Sequence, residues 1–306
     1  MIHAAAAARV AVVTAAAARE LDDDLAPLAA ALRADGTAFD IVDWDDAAVE
    51  WSRYRLAVLR STWDYSQRLP EFLSWLERAG AQTRLLNPLD VVRWNTDKHY
   101  LAALERAGVA IVPSAFAEPG EDADAALTAF LDAHLDAREF VVKPAIGAGS
   151  RDARRHARGD RAAAKAHLDG LLRNGRSAVL QPYLDRVDAY GETALIHFDG
   201  VFSHAIRKGP LLRRGEDSTR ALFATEHITP RVPTSAEHAL AERTLTAIPF
   251  DGPLLYARVD LIHDADGAPR VLELELAEPS LFFTTATASA ARFAQALRQR
   301  LRDTPG

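Results

Sequence analysis

Four acidic residues near the C-terminus offer the clearest chemistry in this sequence. Asp260 lies on one β-like run, and Glu273, Glu275 and Glu278 lie on and after the next, with the turn Asp264-Ala-Asp-Gly267 between the runs. Side chains two apart share a strand face, so Glu273 and Glu275 point one way, and antiparallel pairing can bring Asp260 to their side. Converging carboxylates repel unless a cation sits between them, and a set of hard oxygen ligands suits magnesium or manganese. An exposed edge strand with outward Glu residues would give the same alternation. Against that stands the apolar run Pro279-Ser-Leu-Phe-Phe283 directly after Glu278.

Cations accompany these acids. Lys143 closes the apolar run that starts at Phe140, and Pro144 and the small-residue loop Ile146-Gly-Ala-Gly-Ser-Arg151 follow it. A strand-end ammonium beside a loop whose backbone N–H groups can approach an anion makes a phosphate grip. Lys98, in Trp94-Asn-Thr-Asp-Lys98, can add a second phosphate contact. Arg207 and Lys208 end a hairpin strand, and Arg258 shares the face of Asp260. Structural ion pairs would use the same residues.

The elements that must position these groups divide into three stretches. Residues 1–90 alternate β-like runs (Val10–Val13, Phe39–Val42, Tyr54–Leu59, Arg84–Leu86) with helical ones near Asp23–Ala34 and from Pro70, the pattern of a parallel α/β sheet. Ala4–Ala8 reads as a ragged terminus entering the first strand. Residues 91–180 hold a helical linker from Asp97 to Ala107, an extended Val109–Val112, and then strand, glycine loop and a helix ending near Leu172. Residues 181–306 hold a hairpin across Asp199-Gly200, a helix around Ser235–Ala247, the acidic hairpin strands Leu254–Ile262 and Val271–Leu276, and a terminal helix ending near Arg302.

At the carboxyl end of the Tyr54–Leu59 run, Arg60-Ser-Thr-Trp-Asp64 is a candidate substrate loop, because ligands bind beyond the strand ends of open α/β sheets. Arg60 would take a carboxylate, Asp64 an ammonium, and Ser61 and Thr62 would add hydrogen bonds. Trp44, Trp51, Tyr54, Trp63 and Tyr65 read as core and rim packing.

Several classes fall away. No glycine fingerprint follows the first strand, no P-loop motif occurs, and no His-Glu-x-x-His is found among the 10 histidines. With no cysteines, thiolate catalysis and cysteine-based metal sites are excluded. A net charge of −7 opposes a nucleic-acid groove, and no apolar stretch is long enough to span a bilayer. A cytoplasmic location is the resulting expectation.

The order of these features resembles the ATP-grasp superfamily from about Asn87 onward. The resemblance rests on Asp97-Lys98, Val142-Lys143-Pro144 with its glycine loop, Gln181-Pro-Tyr-Leu184, Gly191-Glu192, Arg207, Arg258-Val-Asp260 and Glu273-Leu-Glu275. It implies a Rossmann-like N-terminal domain followed by two α+β subdomains that clamp ATP, an α/β chain overall. By resemblance, Lys98 and Lys143 hold phosphates with Gly147, Gly149, Ser150, Arg207 and Lys208, and Gln181, Pro182, Tyr183 and Leu184 form the adenine hinge. Glu192 takes the ribose, and Asp260, Glu273 and Glu275 hold Mg2+ or Mn2+. Arg258 steadies a carboxylate or developing oxyanion, with Lys143 and Arg207 also assigned to catalysis.

Over nearly the whole chain the sequence resembles the O-ureido-serine cyclo-ligases of cycloserine biosynthesis, on stretches such as Arg60-Ser-Thr-Trp63, Val92-Arg-Trp94, Ser203-His-Ala-Ile206 and Glu278-Pro-Ser-Leu281. Such enzymes activate the substrate carboxylate with ATP and close a ring by internal nitrogen attack, losing carbon dioxide and ammonia. The glycine loop and Phe282-Phe283 depart from that pattern, and Arg151 and Glu278 are placed toward substrate. The expected partner is a small amino-acid-like molecule, with neither nucleic acid nor membrane, and a homodimer is one expected assembly. An intermolecular amino-acid ligase and a non-catalytic nucleotide-binding module stay open as alternatives.

Overall fold

The computed structural model describes residues 9–212, 227–252 and 254–304. The Ala4–Ala8 stretch lies outside the described residues. The chain opens with β1 (Arg9–Thr14), α1 (Leu25–Ala34), β2 (Ala38–Asp43), β3 (Leu56–Leu59), α2 (Leu69–Gly80) and β4 (Arg84–Leu86). Its four strands pair in parallel in the order β2-β1-β3-β4. Strand β1 shows why the run is continuously apolar. Val10 and Val12 pack on the α1 side, while Ala11 and Val13 pack on the α2 side against Phe72, Trp75 and Leu76. Both faces of a parallel sheet are covered, so both must be apolar.

Two linker helices follow, α3 (Leu89–Asn95) and α4 (Tyr100–Arg106). The central unit contains β5 (Ala115–Ala117), α5 (Ala123–Ala133), β6 (Glu139–Pro144), β7 (Arg154–Ala157), α6 (Arg161–Arg173) and β8 (Ala178–Pro182), an antiparallel sheet in the order β5-β8-β6-β7. Phe140, Val142 and Leu180 bury against Leu127, Phe130 and Leu168 from α5 and α6. Val141, Lys143 and Gln181 line the cleft.

The last unit runs α7 (Arg186–Tyr190), β9 (Glu192–Phe198), β10 (Val201–Lys208), β11 (Ile228–Arg231), α8 (Ser235–Thr246), β12 (Tyr256–His263), β13 (Pro269–Glu275) and α9 (Ser289–Asp303). Its antiparallel order is β11-β10-β9-β12-β13. Period-two alternation sends Leu195, Val259 and Leu261 to a core with α4 and α8. It sends Ala194, Ile196 and Phe198 to the other face, where α9 joins them to β1, β3 and α1 in one shared core. The N-terminal sheet and the C-terminal unit are thereby built on common apolar packing.

Several elements differ from the expected pattern. A strand, β7, stands between the glycine loop and α6, because Arg154–Ala157 folds back on β6. The extended Val109–Val112 stretch joins no regular sheet. It makes a single bridge, Ile111 to Val271. The helix expected from Asp97 begins at Tyr100, and α3, α5 and α7 were not anticipated.

Polar side chains fasten the N-terminal part and linker to the C-terminal unit. Asn87 donates to the carbonyls of Tyr256 (2.9 Å) and Leu276 (2.8 Å) and accepts from the Leu255 N–H (2.9 Å). Asn95 donates to the Leu274 carbonyl and accepts from the Leu276 N–H. Asp24, 3% exposed, accepts from the N–H groups of Leu281, Phe282 and Phe283 and lies 3.7 Å from the Arg60 guanidinium. We expect Asp24→Ala to destabilise the protein by about 3 kcal/mol, since it orphans three buried donors and an arginine. Urea unfolding that shows a loss below about 1 kcal/mol would mean the 281–283 segment is held by packing alone.

Candidate active site

The antiparallel register builds a charged face on the C-terminal sheet. Lys208 pairs with Glu192 across β9 and β10, Asp260 pairs with Glu273 across β12 and β13, and Arg258 with Glu275. All six side chains meet there. Lys208 Nζ contacts the carboxylates of Asp260 (2.6 Å) and Glu192, and Arg258 reaches Asp260 (2.9 Å) and Glu275. From the facing central unit, Lys143 Nζ donates to Glu273 at 2.9 Å, and Lys98 Nζ stands 3.7 Å from the same carboxylate. The face closes over a cleft of about 730 Å³.

Oxygens of Asp260, Glu273 and Glu275 lie within 4.8 Å of one another. This hard-donor set fits a divalent magnesium or manganese ion. Its electrostatics show the strain of an acidic cluster. Burial opposes ionisation of Glu273, yet the Lys143 and Lys98 ammoniums outweigh it and hold the carboxyl far below its ordinary value. Asp260 is likewise lowered, burial being outweighed by Arg258 and Lys208. Glu275 and Glu192 are raised, each by burial first and by the neighbouring Asp260 charge, against the pull of Arg258 and Lys208 respectively. A cation arriving here would favour the ionised forms.

The opposite wall is the glycine loop and the hinge. Gly149 (φ 62°), Ser150 (φ 59°) and Asp152 (φ 58°) are all left-handed, which turns the loop sharply between β6 and β7. Lys98 Nζ donates to the Gly147 carbonyl at 3.0 Å. Gly147, Gly149, Ser150 and Arg151 all line the cleft. So do Gln181, Pro182, Tyr183 and Leu184. The Gln181 amide donates to Ser114 at 2.8 Å, and the Arg155 guanidinium lies 3.5 Å from the Tyr183 ring centroid while pairing with the buried Glu139. The hinge is thus braced by the strand that follows the glycine loop.

Some expected site residues sit elsewhere. Arg207 does not line the cleft. It points to the other side of β10 from Lys208 and donates to the carbonyls of Tyr190 and Ala189. Gly191 is needed there, since a Cβ would meet the Lys208 carbonyl at 2.6 Å and the Arg207 Nε at 2.7 Å. Glu192 lines the cleft and is engaged there by Lys208 within the charged face.

The N-terminal substrate set also differs. Arg60, 1% exposed, donates to the Pro279 carbonyl (2.7 Å), Ser61 bonds Thr14 at 2.7 Å, and Asp64 accepts from the Trp44 indole (2.9 Å) and Arg68. Neither these three nor the fully buried Thr62 lines the cleft. The strand end turns inward, and its polar groups serve the junction with the 278–283 segment. Trp63 and Tyr65, from the same loop, do line the cleft. Trp44, Trp51, Tyr54 and Tyr65 are buried as expected, and Trp63 is half-buried.

Sequence reasoning missed Asp22, which lines the cleft from the loop after β1. Its only signal was the acidic run Asp22-Asp-Asp24, which reads equally as a helix start.

Glu278 faces the cleft at 9% exposure. Burial, followed by the Glu275 charge, pushes its carboxyl up to about 8, against the Tyr65 hydrogen bond that favours ionisation. A carboxyl raised in the folded state costs stability as pH climbs from its unfolded value near 4.3 to that point, because only the unfolded chain ionises freely there. Glu278→Gln should therefore match the wild type in stability at pH 4 and exceed it by a few kcal/mol at pH 9. Urea titrations at both pH values check this, and equal curves at pH 9 would refute the buried neutral carboxyl.

Comparison with known proteins adds the following. Residues 10–87 match the family model of the D-cycloserine synthetase DcsG N-terminal domain. The chain is 44% identical over 296 residues to the cycloserine biosynthesis protein DcsG of Streptomyces lavendulae, covering 95% of this chain and 98% of that protein. The crystal structure of D-cycloserine synthetase DcsG superposes with a TM-score of 0.91 at 43% identity, covering 96% of this chain and 99% of that one. A D-alanine–D-alanine ligase from Bacillus anthracis, solved with ATP, shares the fold at TM-score 0.65 and 16% identity, over 97% of each chain. No described helix is long and apolar enough to cross a membrane.

Proposed function

This chain belongs to the family of the cycloserine biosynthesis protein DcsG, a family of ATP-grasp ligases, and from that premise we propose that it closes the cycloserine ring from O-ureido-serine. The substrate carboxylate attacks the γ-phosphorus of ATP, giving an acyl phosphate and ADP. The oxygen-bound nitrogen of the same molecule then attacks the acyl carbon, phosphate leaves, and hydrolysis of the carbamoyl group releases carbon dioxide and ammonia. The nucleophile is tethered, so ring closure carries little further entropic cost.

The observation that supports this reading best is the meeting of Lys98 and Lys143 on Glu273, beneath the glycine loop and beside Arg258. In the proposed roles, Lys98, Lys143 and Lys208 take the triphosphate, with backbone groups of Gly147, Gly149 and Ser150 closing over it. The 181–184 hinge takes adenine. Asp260, Glu273 and Glu275 would hold magnesium, which when bound offsets charge on the phosphates. Arg258 steadies the carboxylate and the negative charge that develops on its oxygen during attack. Trp63, Tyr65 and Phe282 exclude water that would otherwise hydrolyse the acyl phosphate.

The reading includes a division at residues 1–90, 91–180 and 181–306, an amino-acid partner, and a cytoplasmic location where ATP is available. Incubation with ATP, magnesium and O-ureido-serine should release one ADP per cycloserine formed. Glu273→Gln should lower kcat/KM at least about 100-fold, because it weakens both the metal site and the lysine pairing. Asp260→Asn is a poorer test. It breaks a buried pair with Lys208 and Arg258 and is expected to cost about 3 kcal/mol of stability. ADP release accompanied by a product of higher mass than the substrate would turn the reading to intermolecular ligation, and full turnover by Glu273→Gln would remove the metal assignment.

A further inference from the structure

We propose that Asp22 takes the α-ammonium of the substrate and makes the enzyme select amino acids over carboxylic acids that lack the amine, an inference resting on the amino-acid ligase reading above. Asp22 lines the cleft yet is only 7% exposed. Its Oδ1 accepts from the Asp24 N–H at 2.9 Å, while Oδ2 is buried with no hydrogen-bond partner. A buried carboxylate oxygen left unpaired is costly, and a donor supplied by a ligand removes that cost.

The local charge points to a cationic donor. Asp22 and Asp24 both face the single Arg60 guanidinium, which lies 3.7 Å from Asp24. Asp24 is further satisfied by the N–H groups of Leu281, Phe282 and Phe283. Two carboxylates beside one guanidinium leave a negative excess, and it falls on the oxygen that has no partner. The other nearby group, the Ser61 hydroxyl, bonds Thr14 and also interacts with the Asp22 carboxylate, but it is neutral and brings no charge to offset the excess.

Position supplies the rest. Asp24 anchors the Asp22 loop to residues 281–283, and Arg258 NH1 donates to the Ser280 carbonyl at 3.0 Å. One short segment therefore fixes Asp22 and Arg258 relative to each other. With Arg258 on the carboxylate and Asp22 on the ammonium, the two charged ends of an α-amino acid are held, and its side chain is left to carry the ring-closing nitrogen. Asp64, with its acceptor oxygens on Trp44 and Arg68, has no comparable opening.

The test compares O-ureido-serine with 3-(ureidooxy)propanoate, the same molecule without its amine, in wild type and Asp22→Asn. The asparagine keeps an acceptor for the Asp24 N–H but loses the charge. Wild type should prefer the amine-bearing substrate in kcat/KM by at least about 100-fold. The variant should lose most of that preference and raise the KM for O-ureido-serine about 10-fold or more, with the KM for ATP unchanged. Wild type that accepts both substrates equally overturns the proposal without any variant, and so does a folded Asp22→Asn with an unaltered preference. No ADP release by wild type with O-ureido-serine sinks the functional reading and this site together, whereas turnover with an unaltered preference sinks the Asp22 assignment alone.

Discussion

Everything in the cleft depends on one constraint: acidic and basic side chains share a buried face and must neutralise one another while no ligand is bound. Asp260, Glu192, Glu273 and Glu275 are paired with Lys98, Lys143, Lys208 and Arg258 across distances of 3.7 Å or less. Buried pairs of this kind contribute little net stability, since desolvation offsets most of the attraction. Their value is as a stored arrangement. A triphosphate brings its own negative charge and competes for the lysines, which leaves the carboxylates short of cations. In the proposed reaction a divalent ion arriving with the nucleotide would meet that need, which would couple nucleotide and metal binding through charge neutralisation.

The same logic explains how the frame is fastened. Asp24, Asn87 and Asn95 each spend nearly all their hydrogen-bonding capacity on backbone groups of the C-terminal unit. Such bonds cannot slide, because a shifted register leaves buried donors unsatisfied. They hold the strand carrying Glu273 and Glu275, and the segment after Glu278, in fixed relation to the N-terminal domain. These inter-unit anchors thus gather on the side of the cleft that carries the proposed metal carboxylates. The glycine loop is tied by the Lys98 bond to the Gly147 carbonyl and by the Arg176–Asp152 ion pair.

How far the sequence could be read follows from the range of the forces involved. The acidic hairpin was legible because strand alternation is local, although it is a bulge between Asp260 and Leu261, and not the turn alone, that sets Asp260 opposite Glu273. The parallel pairing of the N-terminal strands is likewise implied by βα alternation. Arg207 was misread because Arg207 and Lys208 are adjacent, and adjacent strand residues face opposite ways; only the strand's pairing with β9 decides which of the two enters the site. The Arg60-Ser-Thr loop was misread for another reason. Its polar groups are consumed by Thr14, Asp24 and Pro279, partners far away in sequence that no local pattern predicts. The strand β7 was hidden by its Arg-rich composition, Arg154-Arg-His-Ala157, which does not look like a strand until Glu139 is seen to pair with Arg155.

Ring closure places a demand on this architecture that an intermolecular ligation does not. A second substrate needs an entry route to the acyl phosphate, whereas a tethered nitrogen needs only that water be kept out while the chain folds back on itself. The walls around Arg258 answer to the second demand. Trp63 and Tyr65 come from the N-terminal loop, and the Phe282 ring lies 5.4 Å from the Arg258 guanidinium. Trp63 is itself tied to the Glu278 carbonyl through its indole N–H at 3.0 Å. The Rossmann-like N-terminal domain thus contributes an apolar wall and one carboxylate oxygen without a hydrogen-bond partner, and the departure at Phe282-Phe283 falls on the face where a small cyclising substrate would be enclosed.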